Sequence, residues 1–180
     1  MQNQLSTGIL QDIAHVFAQQ RKLAEGAAQQ VSDQQFFLAD GAEANSIAVI
    51  MKHVGGNLRS RWTDFLTSDG EKPDRNRDGE FIAHVESRES ITQIWNTGWQ
   101  ALGETLAQLG PDQLGVTVTI RGEPCTVSQA LMRSLAHTSH HCGQIVHIAK
   151  ALAGSNWKTL SIPRGGSANL SGSFWKAEPR

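Results

Sequence analysis

Ile47, Met51, Val54, Leu58, Trp62 and Phe65 recur at steps of three and four residues. That spacing lines apolar side chains along one stripe of an α-helix and along no single face of a strand. A stripe of this length has to be covered, and three other segments of helical length and period can cover it. The four segments span roughly 5–30, 43–67, 87–109 and 128–153, and together they predict an all-α fold, a four-helix bundle. The third carries Ile91, Ile94, Trp95, Trp99, Leu102, Leu106 and Leu109 and stops at Gly110-Pro111, a strong breaker. Its tryptophans read as core packing rather than a ligand platform. Before the fourth segment, VTVTIRGEPCTV places two short β-branched runs around Arg121-Gly122-Glu123, the pattern of a small β-hairpin. Ser128 is the expected N-cap of the last helix and Gly154 its C-cap.

A chain of 180 residues suits one domain with its own core, here expected over 1–180, with an extended C-terminal tail from about 163 to 180. Charged residues make up 18% and the formal net charge is -1, so the chain lacks the basic field that nucleic acid or an acidic membrane surface demands. A small-molecule substrate is the expected partner. The first thirty residues lack a basic segment followed by an apolar one, and no stretch resembles a membrane span, so a cytoplasmic location is expected. Cys125 and Cys142 form no CxxC pair and read as structural thiols.

The last segment carries His137-Thr138-Ser139-His140-His141. At about 100° per residue, His137 and His141 share one face and border the apolar stripe of Leu131, Leu135, Cys142, Ile145, Ala149 and Leu152. His140 and His147 fall on the opposite, solvent side. The second segment repeats the arrangement, because His53 and Asn57 flank its buried stripe just as the pair does. Three neutral imidazoles from two packed helices suit zinc, nickel or a similar first-row ion and leave coordination positions open. By itself an HxxxH spacing is a weak sign. Position 138 is Thr, so the helix-borne glutamate of the HExxH metallopeptidases is missing.

Asn57, one turn beyond His53, and Gln144, three residues beyond His141, can orient a histidine's second nitrogen or a bound water. Arg61 continues the row of His53 and Asn57 but falls inside the apolar stripe, where an unpaired guanidinium is costly. It requires an anion there: a carboxylate such as Asp64 or Asp69, or a substrate anion. The stretch DRNRDGEFIAHVE imitates a calcium loop at Asp74, Asn76, Asp78 and Gly79, but its closing position is Val85 and Glu86 comes one residue late. It reads instead as a solvated, charged connection.

MKHVGGNLRSRWTDFLTSDGEKPDRNRDGEF, the hairpin, LAHTSHHCGQIVHIAK and WKTLSIPRGGS give the chain, over nearly its whole length, a resemblance to the DinB/YfiT-like metalloenzymes, which are four-helix bundles. In that family one histidine of the second helix and an HxxxH pair of the last bind a divalent ion. The resemblance therefore implies His53, His137 and His141 as ligands, with zinc or nickel as the ion, and a metal-dependent enzyme of hydrolase or low-molecular-weight-thiol transferase type. A homodimer is also expected, since related bundles pair. No residue is legible in the sequence as the catalytic base, and a non-catalytic metal or small-ligand binding module is the alternative.

Overall fold

The computed structural model describes residues 2–41, 43–82 and 86–166. Helix α1 (Gln2–Ala28) is followed by a single turn, α2 (Asp33–Phe36), then by α3 (Ile47–Trp62) and α4 (Arg88–Gln108). A two-stranded antiparallel hairpin, β1 (Thr117–Ile120) and β2 (Glu123–Thr126), leads into the last long helix, α5 (Val127–Ala153). Short 3-10 turns at Asp78–Phe81, Pro111–Gly115 and Gly154–Asn156 complete the order. Among the described residues no helix is long and apolar enough to cross a membrane.

The long helices form two pairs, α3 with α4 and α1 with α5, and α3 also meets α5. The apolar stripes face inward as their period requires: Ile47, Val54 and Leu58 of α3, Ile91 and Trp95 of α4, and Leu131, Ile145 and Ala149 of α5 are all fully buried. Trp62, Trp95 and Trp99 belong to this core, and two of them also satisfy their indole N–H: Trp95 donates to Glu25 at 2.9 Å and Trp62 to Ser134 at 3.3 Å. Helices α3 and α4 touch backbone to backbone. A Cβ on Gly55 would lie 2.6 Å from the Ile94 carbonyl oxygen, and one on Gly98 would strike the carbonyl oxygen of Gly55.

Local signals explain the element ends, and several differ from the sequence expectation. Helix α3 is shorter than 43–67. It begins where the Ser46 side chain accepts from Val49 N–H, and it ends at Trp62 because Thr63 turns extended and Asp64 takes φ 47°. Phe65 is thus buried from a turn rather than from the helix. The first helix spans Gln2–Ala28 rather than 5–30, and the turn at α2 has too few residues to show a period. The N-cap of α5 is Thr126, not Ser128, through a capping box with Gln129. Gly154 does cap the C-terminus, at φ 55°. In the hairpin Thr117 pairs with Thr126 and Ile120 with Glu123, and positive φ at both Arg121 and Gly122 is the mark of a two-residue type I′ turn. Of the C-terminal tail, residues 167–180 lie outside the described residues. The segment before it is tied to the turn after α1 by Gln30, which donates to the Lys158 carbonyl at 3.0 Å and accepts from Lys158 N–H at 2.7 Å.

Candidate metal centre

His53 on α3 and the pair His137 and His141 on α5 converge, with one ring nitrogen of each lying within 4.8 Å of the others. The group can hold a metal ion. His53 is buried, the other two half-buried. Nε2 of His53 and Nε2 of His137 stand 3.2 Å apart. Two imidazoles on a tetrahedral zinc-sized ion, each at about 2.0–2.1 Å, would place their nitrogens about 3.4 Å apart. The His53–His137 pair therefore matches a first-row ion as it stands, and the third nitrogen, within 4.8 Å of the others, is near enough to join them after a shift of the side chains.

Two hydrogen bonds turn the rings so that the right nitrogens face inward. His53 Nδ1 meets Glu80 Oε2 at 2.8 Å and His141 Nδ1 meets Gln144 Oε1 at 2.7 Å. A carboxylate and an amide oxygen accept, so each Nδ1 carries the proton and each Nε2 keeps its lone pair for a ligand. Burial, reinforced by the neighbouring His141 and His53, pushes the His137 imidazole down to about 4. Burial also lowers His141, against the hydrogen bond that its Nδ1–H donates to Gln144, which works the other way. Both rings are therefore neutral near pH 7, the form that binds a metal.

Glu80, which the sequence reading assigned to a solvated connection, is buried. Its own burial favours the neutral acid, but hydrogen bonds from His53 and Arg75, with the charge of Arg75, outweigh this and hold it below the usual carboxylate range. Arg75 forks onto it, Nε to Oε1 and Nη2 to Oε2, both at 2.9 Å, with a side chain only 3% exposed. The chain Arg75, Glu80, His53 thus runs from the loop into the cluster, and Phe81 lies against the His53 ring with centroids 4.7 Å apart. The loop folds inward because it is anchored to the hairpin. Gly70 N–H donates to the Thr119 carbonyl at 2.8 Å, and the Asp69 carboxylate accepts from Arg121 and Gly122 N–H, each at 2.8 Å. Neither Arg75 nor Glu80 lies in a periodic segment, and no local motif joins them. The loop that imitates a calcium site is thus not wholly the solvated connection expected of it, since Glu80 and the Arg75 side chain are buried. Its closing position, Val85, lies outside the described residues, and Glu86 pairs instead with Lys52 at 3.0 Å.

Gln144 sits where the helical phase put it. Asn57 makes no hydrogen bond to the histidines and instead lines a cavity of about 210 Å³ together with His53, His137 and Arg61. Arg61 is buried, but its partner is neither Asp64 nor Asp69: it faces Glu71 at 3.7 Å. The reason is local, since Asp64 leaves the helix at positive φ and Asp69 is occupied by backbone N–H groups. His140 and His147 are exposed and line a separate cavity of about 650 Å³ along α5. Cys142 is buried, and desolvation pushes its thiol up to about 12, which makes it a poor nucleophile. Cys125 is a free, half-buried thiol.

Residues 4–166 match the model of a family described as a protein of unknown function (DUF1572). No curated protein and no solved structure matches the chain.

Proposed function

We propose, from the premise that the chain belongs to the DUF1572 family, that it is a metal-dependent enzyme whose His53, His137 and His141 hold one divalent transition-metal ion. One observation carries this reading: Nδ1 of His53 and Nδ1 of His141 are tied to the oxygens of Glu80 and Gln144, and one ring nitrogen each of His53, His137 and His141 lies within 4.8 Å of the others. Incidental surface histidines have no reason to be so arranged. Neutral imidazoles favour zinc or nickel over calcium or magnesium.

The origin of the ligands, one from the second long helix and two from the last, supports kinship with the DinB/YfiT-like metalloenzymes and a four-helix bundle formed as one domain over 1–180. A bound ion of this kind supplies a Lewis acid, which lowers the pKa of a water or thiol or polarises an electrophile. The chain's own part is to fix the imidazole tautomers through Glu80 and Gln144 and to border the open side with Asn57. Hydrolysis and transfer of a low-molecular-weight thiol are the two reactions in view. A cytoplasmic homodimer completes the proposal, and light scattering at micromolar concentration that gives only a monomer's mass would remove the dimer from it.

A second reading, a non-catalytic metal or small-ligand binding module, is favoured by one feature: among the described residues no carboxylate lines the cavity next to His53 and His137 that could act as a general base. The deciding experiment is metal analysis of protein purified without an affinity tag, followed by a panel of esters, amides and thiol-transfer electrophiles. Turnover that chelator abolishes and added metal restores supports the enzyme. Bound metal with no turnover supports the module, and a metal-free chain indifferent to zinc and nickel overturns both.

A further inference from the structure

The cavity of about 210 Å³ next to His53 and His137 has five arginines on its wall: Arg61, Arg75, Arg77, Arg121 and Arg133. The chain has 16 Lys and Arg in all and a formal net charge of -1, so this is a local concentration of charge rather than a reflection of composition. The carboxylates next to these arginines are few and shared. Glu71 serves Arg61 at 3.7 Å, Arg75 at 3.4 Å and Arg121 at 3.3 Å. Glu80 is held between Arg75 and His53, Asp78 meets Arg77 at 3.5 Å, and Asp69 is engaged by backbone N–H groups. With all four counted, one guanidinium is left in excess, and a divalent ion would add two more positive charges. Among the described residues no carboxylate pairs with Arg133.

A second observation is independent of charge. Arg61 is only 8% exposed, and its Nη1 is buried without any hydrogen-bond partner. An unsatisfied donor on a buried cation costs about 1–3 kcal/mol or more; Nη1 is covered as the side chain stands, and a small shift of the guanidinium toward a ligand's acceptor oxygens in the cavity would relieve that cost. A planar guanidinium matches the paired oxygens of a carboxylate or phosphate. At about 30 Å³ per water, the cavity has room for such a group and a short carbon skeleton, not for a polymer.

We propose that this cavity binds the terminal oxyanion, carboxylate or phosphate, of a small anionic substrate, with Arg61 and Arg133 donating to it and the rest of the substrate directed toward the three histidines. The placement of the reacting end rests on the reading of those histidines as a metal centre; the oxyanion site itself does not.

Calorimetric titration at low ionic strength with inorganic phosphate and, separately, with succinate tests it, on the full chain as purified and again after chelation. Binding of either probe is expected to survive chelation, and the probe that binds tells phosphate from carboxylate. Arg133→Gln, an exposed position that folding tolerates, should weaken that binding about fivefold. Arg61→Met, checked for folding by circular dichroism, should weaken it about tenfold or more. Arg59→Gln, on the far side of α3, should leave it unchanged. If neither probe binds, or if Arg133→Gln and a folded Arg61→Met bind as tightly as the parent, the oxyanion site is refuted. A chain that takes up zinc or nickel but neither probe loses this inference and keeps the metal centre; one that binds a probe but no metal does the reverse.

Discussion

Removing the Glu80 carboxylate is the sharpest perturbation available, because two of its neighbours respond differently. In Glu80→Ala, Arg75 loses both 2.9 Å bonds while its side chain stays 3% exposed. Stripping one partner from a buried ion pair costs about 3–5 kcal/mol. Glu71 remains 3.4 Å from Arg75 Nη1 and can take up part of the charge, so the low end, about 3 kcal/mol, is expected. For a chain of this size each kcal/mol moves the melting midpoint by about 2–4 °C, giving a fall of roughly 6–12 °C in chelated protein. His53 loses the acceptor that fixes its tautomer, and metal affinity should drop about 10-fold to 100-fold. Thermal unfolding followed by circular dichroism reads the first effect, and competition against a chromophoric chelator reads the second. The double change Glu80→Ala with Arg75→Leu should recover most of the stability, since the orphaned charge has gone, but none of the metal affinity. If Glu80→Ala melts within about 2 °C of the parent and binds metal as tightly, the buried relay has no energetic role and the reasoning fails.

His53→Ala, His137→Ala and His141→Ala should each strip the ion from purified protein, while His140→Ala and His147→Ala keep it, as read by elemental analysis; loss only in the His140 variant would reassign the ligands. The His137 imidazole is held down to about 4 from an ordinary 6.5. Within that window the unfolded chain binds the extra proton, so stability falls as pH drops from about 6.5 toward 4. In chelated protein the urea midpoint should fall less steeply over this range for His137→Gln than for the parent; equal slopes would contradict the shift. Gly98→Ala sets a methyl against the Gly55 carbonyl oxygen and should cost at least about 2 kcal/mol with a lower melting midpoint, whereas Gly103→Ala on the same helix, with open space around it, should be neutral or stabilising.

The helices were legible because burial imposes a period, and residues such as Ile47, Leu58, Trp95 and Ile145 obey it. The i, i+4 relation of His137 and His141 and the position of Gln144 follow from the same geometry. Their meeting with His53, 84 residues away from His137 in the chain, depends on which helices pack, and periodicity does not determine that; family resemblance supplied it. Arg75 and Glu80 were not legible. They lie in a loop whose course is set by Asp69 capping the hairpin turn and by Gly70 pairing with Thr119, contacts between segments about 50 residues apart. Arg61 was partly legible. Its phase demanded an anion, but the end of α3 at Trp62 removed one candidate and the hairpin occupied the other.

The histidines belong to different helix pairs, His53 to α3 against α4, His137 and His141 to α5 against α1. Four residues along one helix rise about 6 Å, so the α5 pair is a ruler of fixed length. The variable dimension is the gap between α3 and α5, and α3 is backed onto α4 by bare glycine backbone with no side chain to compress. If the three histidines hold an ion as proposed, discrimination between ions of different radius would fall to the spacing of two helices rather than to the choice of donors, and substitutions that thicken or thin that seam would alter the metal preference while keeping all three histidines.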